Sequence, residues 1–131
     1  MENGYAMIDS PNTVDLEFEI LPILIGANSE VGDNVGKCAV QYGPFIYCVE
    51  ALDNIENLNS LYIDKNISAE REYCIALDSY VLKLNGFRKC SCASLYERYT
   101  ESFEPFVITA IPYHTFANRD ETNMAVWIKV R

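Results

Sequence analysis

The segment ITAIPYHTFANRDETNMAVWIKV, residues 108–130, decides the fold of this chain. It contains most of two apolar runs, at 106–111 and 125–130, with an irregular aromatic stretch between them. Apolar runs bounded by polar turn residues are typical of β-strands. The segment therefore predicts two strands joined by a long aromatic loop.

Alternating apolar and polar residues recur toward the N-terminus. Residues 13–20 place four apolar side chains on one face and three carboxylates on the other, which predicts a half-buried strand with one wet face. The dipeptide Asn85-Gly86 predicts a tight hairpin, because a type I′ turn requires positive φ at both central positions. Pro22, within the apolar run 21–27, predicts an edge strand or a bulge. Further strands are expected at 37–41, 45–49, 61–63, 72–77, 79–84 and 87–90.

We therefore expect an all-β fold of about nine to eleven short strands, arranged as an antiparallel, jelly-roll-like β-sandwich. The fold should contain at most one short helix, a single turn that Asp53 or Asn54 would cap. A length of 131 residues indicates one domain covering residues 1–131.

A second stretch, GKCAVQYGPFIYCVEALDN at 36–54, carries a family resemblance together with the first. The ordered motifs are Gly-Pro-Phe-Ile-Tyr-Cys-Val-Glu (43–50), Asp-Asn (53–54), Thr-Ala-Ile-Pro-Tyr (109–113), Ala-Asn-Arg (117–119) and Val-Trp-Ile (126–128). This series resembles the C-terminal end of glycoside hydrolase family 127, the β-L-arabinofuranosidase family, formerly a domain of unknown function. The match extends over most of the chain, although Tyr42 stands where the family often has arginine.

The resemblance implies a C-terminal β-sandwich without its enzyme. In that family a cysteine nucleophile and a zinc site lie in a large N-terminal (α/α) barrel, and none of these residues matches that barrel. The chain is thus expected to be a non-catalytic accessory domain, without catalytic residues or cofactor, whose partner is the barrel in cis or in trans. Residues 1–28 could be the last strands of a preceding sandwich. Their exposed strand edges would then favour a homo-oligomer.

The charge balance restricts the class of partner. The formal net charge is −9, and neither nucleic acid nor an anionic membrane is an expected partner, because both require Lys and Arg to neutralise phosphate. A neutral partner such as a carbohydrate is compatible with this charge. The start of the chain has neither the basic residues nor the apolar core of a signal peptide, so we expect a cytoplasmic location.

The cysteines indicate reduced thiols and no metal site. Five occur, at 38, 48, 74, 90 and 92, and an odd number without an export signal is typical of an intracellular protein. Only Cys90 and Cys92 have ligand-like spacing, whereas a structural zinc site needs four ligands, usually from two such pairs.

The loop between the two C-terminal strands is the candidate binding site. It combines aromatic rings with planar polar groups, the mixture that recognises sugars. The candidate residues are Tyr113, His114, Phe116, Asn118 and Arg119. The alternative is that Tyr113 and Phe116 plug the open end of the sandwich while Asn118 and Arg119 pin the loop to backbone carbonyls. Glu50 is interpreted as a strand-end charge, and Trp127 as a packing residue.

Two hypotheses follow, a structural module of a glycoside hydrolase or a freestanding carbohydrate-binding module. The binding module should expose coplanar aromatic rings in a groove. The structural module should bury its aromatic residues and display an apolar patch for its partner.

Overall fold

A computed structural model describes residues 4–9, 12–90 and 94–131. The strands in these ranges are β1 (Pro22–Gly26), β2 (Lys37–Tyr42), β3 (Phe45–Glu50), β4 (Leu61–Ile63), β5 (Ala69–Cys74), β6 (Ser79–Lys89), β7 (Phe103–Pro112), β8 (Met124–Ala125) and β9 (Ile128–Val130). The helical elements described are 3-10 turns at Gly32–Asn34, Ala51–Asp53, Leu58–Ser60, Ile75–Leu77 and Tyr113–Thr115. The all-β class is confirmed. None of the described helices is long and apolar enough to cross a membrane.

Strand pairing forms a closed path. From β2 it runs through β9, β4, β6, β7 and β3, and β3 pairs again with β2. The pairs are antiparallel except β4–β9, which is parallel, so the sheet is mixed. β1 adds to β2 and β5 adds to β6. The main core contains Val40, Tyr47, Val49, Leu61, Ile63, Leu82, Leu84, Ile108, Ala110 and Ile128.

The prediction of a half-buried strand at 13–20 is wrong. No strand is assigned there, and Leu16 and Phe18 are 74% and 75% exposed. Alternation decides which face of a strand is apolar, but a strand also needs a neighbour for its backbone hydrogen bonds. Within the described ranges no strand pairs with 13–20. Self-association through exposed edges stays a prediction, which sedimentation velocity would test.

The prediction of a hairpin turn at Asn85-Gly86 is also wrong. Both residues lie inside β6, where Asn85 faces Val107 and Gly86 faces Phe106 on β7. The Asn85 side chain accepts a hydrogen bond from the Ser68 backbone N–H at 2.6 Å, so it joins two segments instead of forming a turn. Gly86 allows close backbone approach, because an added Cβ would lie 2.6 Å from the Tyr62 carbonyl oxygen.

Both C-terminal strands form as expected, but the second one is interrupted. β7 includes the predicted run 106–111, but the run 125–130 divides into β8 and β9. β8 pairs with β3 and β9 pairs with β2 and β4, so the chain changes neighbours at Val126 and Trp127. This change of partner places Trp127 beside the candidate loop rather than in the central core.

Candidate functional site

The candidate loop lies against the end of β3. It leaves β7 through the 3-10 turn Tyr113–Thr115 and returns to the sheet at β8. On its return, the Asn123 carbonyl accepts a hydrogen bond from the Ala51 N–H at 2.9 Å, and Thr122 Oγ1 accepts one from the Leu52 N–H at 3.1 Å. The return end of the loop is thus tied to the 3-10 turn that follows β3.

A partly buried ion cluster fixes the middle of the loop. Arg119 Nη1 donates to Asp53 Oδ1 at 2.8 Å, Arg119 Nη2 donates to Glu50 Oε2 at 2.7 Å, and Arg119 Nη2 also contacts Asp53 Oδ2. Glu50 is only 1% exposed. Its second oxygen, Oε1, accepts from the backbone N–H of Ala117 at 2.9 Å, where φ is +58°. One carboxylate therefore holds both a guanidinium and a backbone turn.

The cluster makes Arg119 a fixed charge. The hydrogen bond to Asp53 is the main cause that raises the pKa of Arg119 above its ordinary value, against an opposing effect of burial. Arg119 Nε is buried and has no hydrogen-bond partner among the described residues. An arginine with two carboxylate partners has little capacity left for a ligand. Arg119 therefore pins the loop to carboxylates and not, as in the alternative drawn from the sequence, to backbone carbonyls.

Asn54 joins the same two motifs through the backbone. Its amide nitrogen Nδ2 donates to the Glu50 carbonyl at 2.8 Å and to the Thr109 carbonyl at 2.9 Å. Its Oδ1 accepts from the Thr109 N–H at 2.8 Å. The motif at 43–54 and the motif at 109–119 therefore meet in one polar cluster. Sequence reasoning missed this role of Glu50, Asp53 and Asn54, since 66 residues separate Asp53 from Arg119 and no local spacing connects them.

The aromatic candidates point the other way, toward solvent. Tyr113 is 52% exposed and Phe116 36%, and the ring centroids of His114 and Phe45 lie 5.3 Å apart at an interplanar angle of 46°. Asn118 is also exposed. A shallow groove of about 380 Å³ is lined by Ile46, Tyr113, Val126 and Trp127. The five predicted residues thus share a loop, but Arg119 points inward while the rings are outside.

The described cysteines do not form a metal centre. Cys38, Cys48, Cys74 and Cys90 are free thiols, and Cys92 lies outside the described residues, so the Cys90–Cys92 pair is not described. In the described ranges no group of three or more His, Cys, Asp or Glu side chains could hold a metal ion. Burial raises the pKa of the Cys48 thiol to about 12, with a smaller contribution from Glu50.

The raised pKa of Cys48 predicts an alkaline loss of stability. An ordinary thiol ionises near 9.0, whereas folded Cys48 stays neutral until about pH 12. Above pH 9 the unfolded chain therefore loses a proton that the folded chain retains, so the stabilisation falls as pH rises. We expect the difference in unfolding free energy between the parent and Cys48→Ala to narrow from about pH 7 to about pH 10 in urea titrations. Parallel pH profiles for the two proteins would contradict this.

Comparisons with known proteins agree with the resemblance inferred from the motifs. A family model described as the glycoside hydrolase family 127 C-terminal domain matches residues 22–129. The non-reducing end beta-L-arabinofuranosidase of Bifidobacterium longum subsp. longum is 26% identical over 145 aligned positions, which cover 97% of this chain and 21% of that protein.

Solved structures show the same fold. A GH127 beta-L-arabinofuranosidase from Geobacillus stearothermophilus T6 aligns with a TM-score of 0.80 at 30% identity, over 87% of this chain and 19% of that one. A structure described as a GH127 beta-arabinofuranosidase aligns with a TM-score of 0.69 at 24% identity, over 87% of this chain and 18% of that one. The chain spans about a fifth of the length of these relatives. Because the family model matches residues 22–129, which is most of the chain, the chain belongs to the glycoside hydrolase family 127 C-terminal domain family.

Proposed function

We propose that this chain is a non-catalytic accessory domain that packs against the catalytic (α/α) barrel of a β-L-arabinofuranosidase-like glycoside hydrolase, in cis or in trans. The observation that carries the proposal is an apolar surface beside the anchored loop. We call this surface the aromatic face; it comprises Ile46, Tyr113, Val126 and Trp127. Ile46 is 38% exposed, although it lies near the start of a strand whose later residues are buried. An exposed apolar patch of this kind marks a protein contact more often than free surface.

The rigidity of the loop supports a docking role. The polar cluster of Glu50, Asp53, Asn54 and Arg119 holds the loop that carries Tyr113 at a fixed position on the sheet. A preorganised surface loses little conformational entropy when it meets a partner. Relatives of this chain are about five times as long, which is consistent with a catalytic domain beside this one.

The packing of the rings favours the structural module over a sugar platform. Among the described ring pairs, the one that includes a residue of the candidate loop is Phe45 with His114, and it is tilted by 46°. A sugar ring stacks on a flat, accessible aromatic surface, and a tilted pair offers no shared plane. A cytoplasmic location, expected from the cysteine content, remains part of this proposal.

A chimera tests the accessory role. This chain would replace the aligned fifth of the Geobacillus relative, and the chimera would be compared with a form lacking that fifth. We expect the chimera to have the higher melting temperature and the higher arabinofuranosidase activity. In the chimera, Tyr113→Ser should lower the unfolding free energy by about 2 kcal/mol, since it removes apolar contact area.

Two controls make the chimera interpretable. In the isolated chain Tyr113→Ser should change the unfolding free energy by less than about 0.5 kcal/mol, because the side chain is already exposed. Val107→Ser replaces a residue that is 64% exposed on β7, away from the aromatic face, and should leave the chimera unchanged. If the truncated relative is as stable and as active as the chimera, the domain does not stabilise the catalytic part and the accessory role is contradicted.

The second candidate function is a freestanding carbohydrate-binding module using residues 113–119. The groove of about 380 Å³ beside the exposed Tyr113 favours it. Its test is a titration of the isolated chain with arabinose oligosaccharides, followed by Trp127 fluorescence. Saturable binding that Tyr113→Ala or Phe116→Ala abolishes would favour this function over the accessory role.

A further inference from the structure

A row of facing residues crosses four strands on the outer surface of the sheet. Lys37 on β2 faces Lys129 on β9, Lys129 faces Tyr62 on β4, and Tyr62 faces Phe87 on β6. Residues directly opposite each other in a sheet share one face. Tyr62 lies between two core residues of β4, Leu61 and Ile63, so this face points away from the core.

Further cations and rings extend the row. The Arg131 guanidinium carbon lies 4.1 Å from the ring centroid of Phe103 and 5.5 Å from that of Phe87. Lys129 Nζ lies 5.3 Å from the Tyr62 centroid. On the next rung Lys89 faces Phe103. We call this surface the basic–aromatic band; it comprises Lys37, Tyr62, Phe87, Lys89, Phe103, Lys129 and Arg131.

Within the part of the chain that the structure describes, the cations of the band form no salt bridge with a carboxylate. The salt bridges within the described ranges involve Lys83, Arg88 and Arg119. Lys37 Nζ instead donates to the Asp33 carbonyl at 2.8 Å, and Lys129 Nζ to the Asn59 carbonyl at 2.9 Å. Four of the ten Lys and Arg residues thus lie together with no carboxylate of the described residues within salt-bridge distance, in a chain with 19 carboxylates.

The band contains a local conflict that a ligand would resolve. Lys37 and Lys129 are directly opposite on adjacent strands, and like charges in that position are destabilising. A local arrangement that destabilises the fold, and that no other contact in the fold offsets, is characteristic of a functional site. An anion placed over the two ammonium groups would convert the repulsion into attraction.

A groove adjoins the band. It has a volume of about 460 Å³, and Lys89 is the band residue that lines it, together with Ile55, Asn57, Ser60, Arg88, Cys90 and Glu104. Arg88 and Glu104 form a salt bridge with each other. This volume falls in the range of small-molecule sites. Asn57 and Ser60 provide hydroxyl and amide groups that can hydrogen-bond neutral hydroxyls.

We propose that the basic–aromatic band and its groove bind an acidic oligosaccharide, one whose sugar units carry uronic acid carboxylates. The carboxylates form charge-assisted hydrogen bonds with Lys129, Lys89 and Arg131, and the sugar C–H faces pack on the aromatic rings. Charge complementarity selects this occupant. A uronate chain has one charge per sugar unit, whereas double-stranded DNA carries about one charge per 1.7 Å of helix axis and is repelled more strongly by a chain of net charge −9. This site is separate from the aromatic face and does not depend on the accessory role.

The test is a calorimetric titration of the 131-residue chain with trigalacturonate, beside neutral arabinotriose. We expect saturable heat for the acidic trisaccharide that disappears at high salt, and none for the neutral one. Arg131→Gln should weaken the binding roughly tenfold, because one charge-assisted contact is lost. Arg71→Gln is the matched control, since Arg71 also stacks on a ring, that of Tyr80 at 4.3 Å, but lies outside the band.

Three outcomes would overturn the proposal. The first is the absence of heat with trigalacturonate at millimolar concentration while the circular dichroism spectrum indicates a folded chain. The second is an equal loss of affinity in Arg71→Gln and Arg131→Gln, which would indicate a general charge effect. The third is equally tight binding of a short oligothymidylate, which would identify a surface for any polyanion.

Discussion

Replacing Arg119 by methionine is expected to lower the free energy of unfolding by about 4 kcal/mol, because breaking a buried ion pair leaves an uncompensated charge. Glu50, only 1% exposed, would keep one backbone hydrogen bond and lose its counter-ion. Asp53 would lose its guanidinium partner as well. Urea titration followed by circular dichroism measures this change.

Arg88→Met is the matched control for Arg119→Met. Arg88 forms a salt bridge with Glu104, but both side chains are more than two-fifths exposed. The same chemical change should therefore cost less than about 1 kcal/mol. A similar loss in the two variants would mean that the Arg119 cluster behaves as a surface ion pair. The anchoring of the candidate loop would then have another cause.

The Arg119 variant should also affect the proposed docking role. Loss of Arg119 leaves the hydrogen bond from the Ala117 N–H, where φ is positive, as the loop's one remaining contact with Glu50 among those described. We expect Arg119→Met to lower the unfolding free energy of the chimera by more than it lowers that of the isolated chain. The aromatic face would then reach its partner with a conformational entropy cost.

Replacing Gly86 by alanine is the second large effect, with an expected loss of about 3 kcal/mol from overpacking. The added Cβ would lie 2.6 Å from the Tyr62 carbonyl oxygen and 2.6 Å from Ile108 Cδ1. The Ile108 side chain can rotate, but the Tyr62 oxygen belongs to the backbone of β4. Relief therefore requires β4 and β6 to separate, which weakens their pairing at Ile63 and Gly86.

Gly26→Ala provides the control for Gly86→Ala. Gly26 also lies in a strand, and an added Cβ would meet no heavy atom within 4 Å. We expect its unfolding free energy to stay within about 0.5 kcal/mol of the parent. Equal, small effects at both glycines would show that β4 and β6 adjust to a methyl group, contrary to the close packing described.

Particular residues show where sequence reasoning failed. Asn85-Gly86 has the composition of a hairpin turn, yet both residues serve a long strand, because β6 pairs with β4, β5 and β7. The role of the glycine is close packing rather than positive φ. Residues 14–20 have clean alternation, yet they form no strand in the part of the chain that the structure describes. Alternation cannot specify a partner strand.

For the candidate site, too, the sequence predicted one part and missed another. Sequence placed Tyr113, His114, Phe116, Asn118 and Arg119 on one loop, and the structure agrees. It gave no sign that Arg119 turns inward to Glu50 and Asp53 while Tyr113 stays exposed. Such a pairing joins residues 66 and 69 positions apart, and charge at one position does not indicate its distant partner.

The sequence by itself determined the all-β class, most of the strands and the family, because apolar periodicity and ordered motifs are local properties of the chain. Only the tertiary structure decided which strands become neighbours, including the parallel β4–β9 pair. It also decided that the two family motifs meet in one partly buried ion cluster, and that Lys37 faces Lys129 across adjacent strands. These contacts depend on the closed path of strand pairing, which brings together residues that local sequence patterns treat as independent.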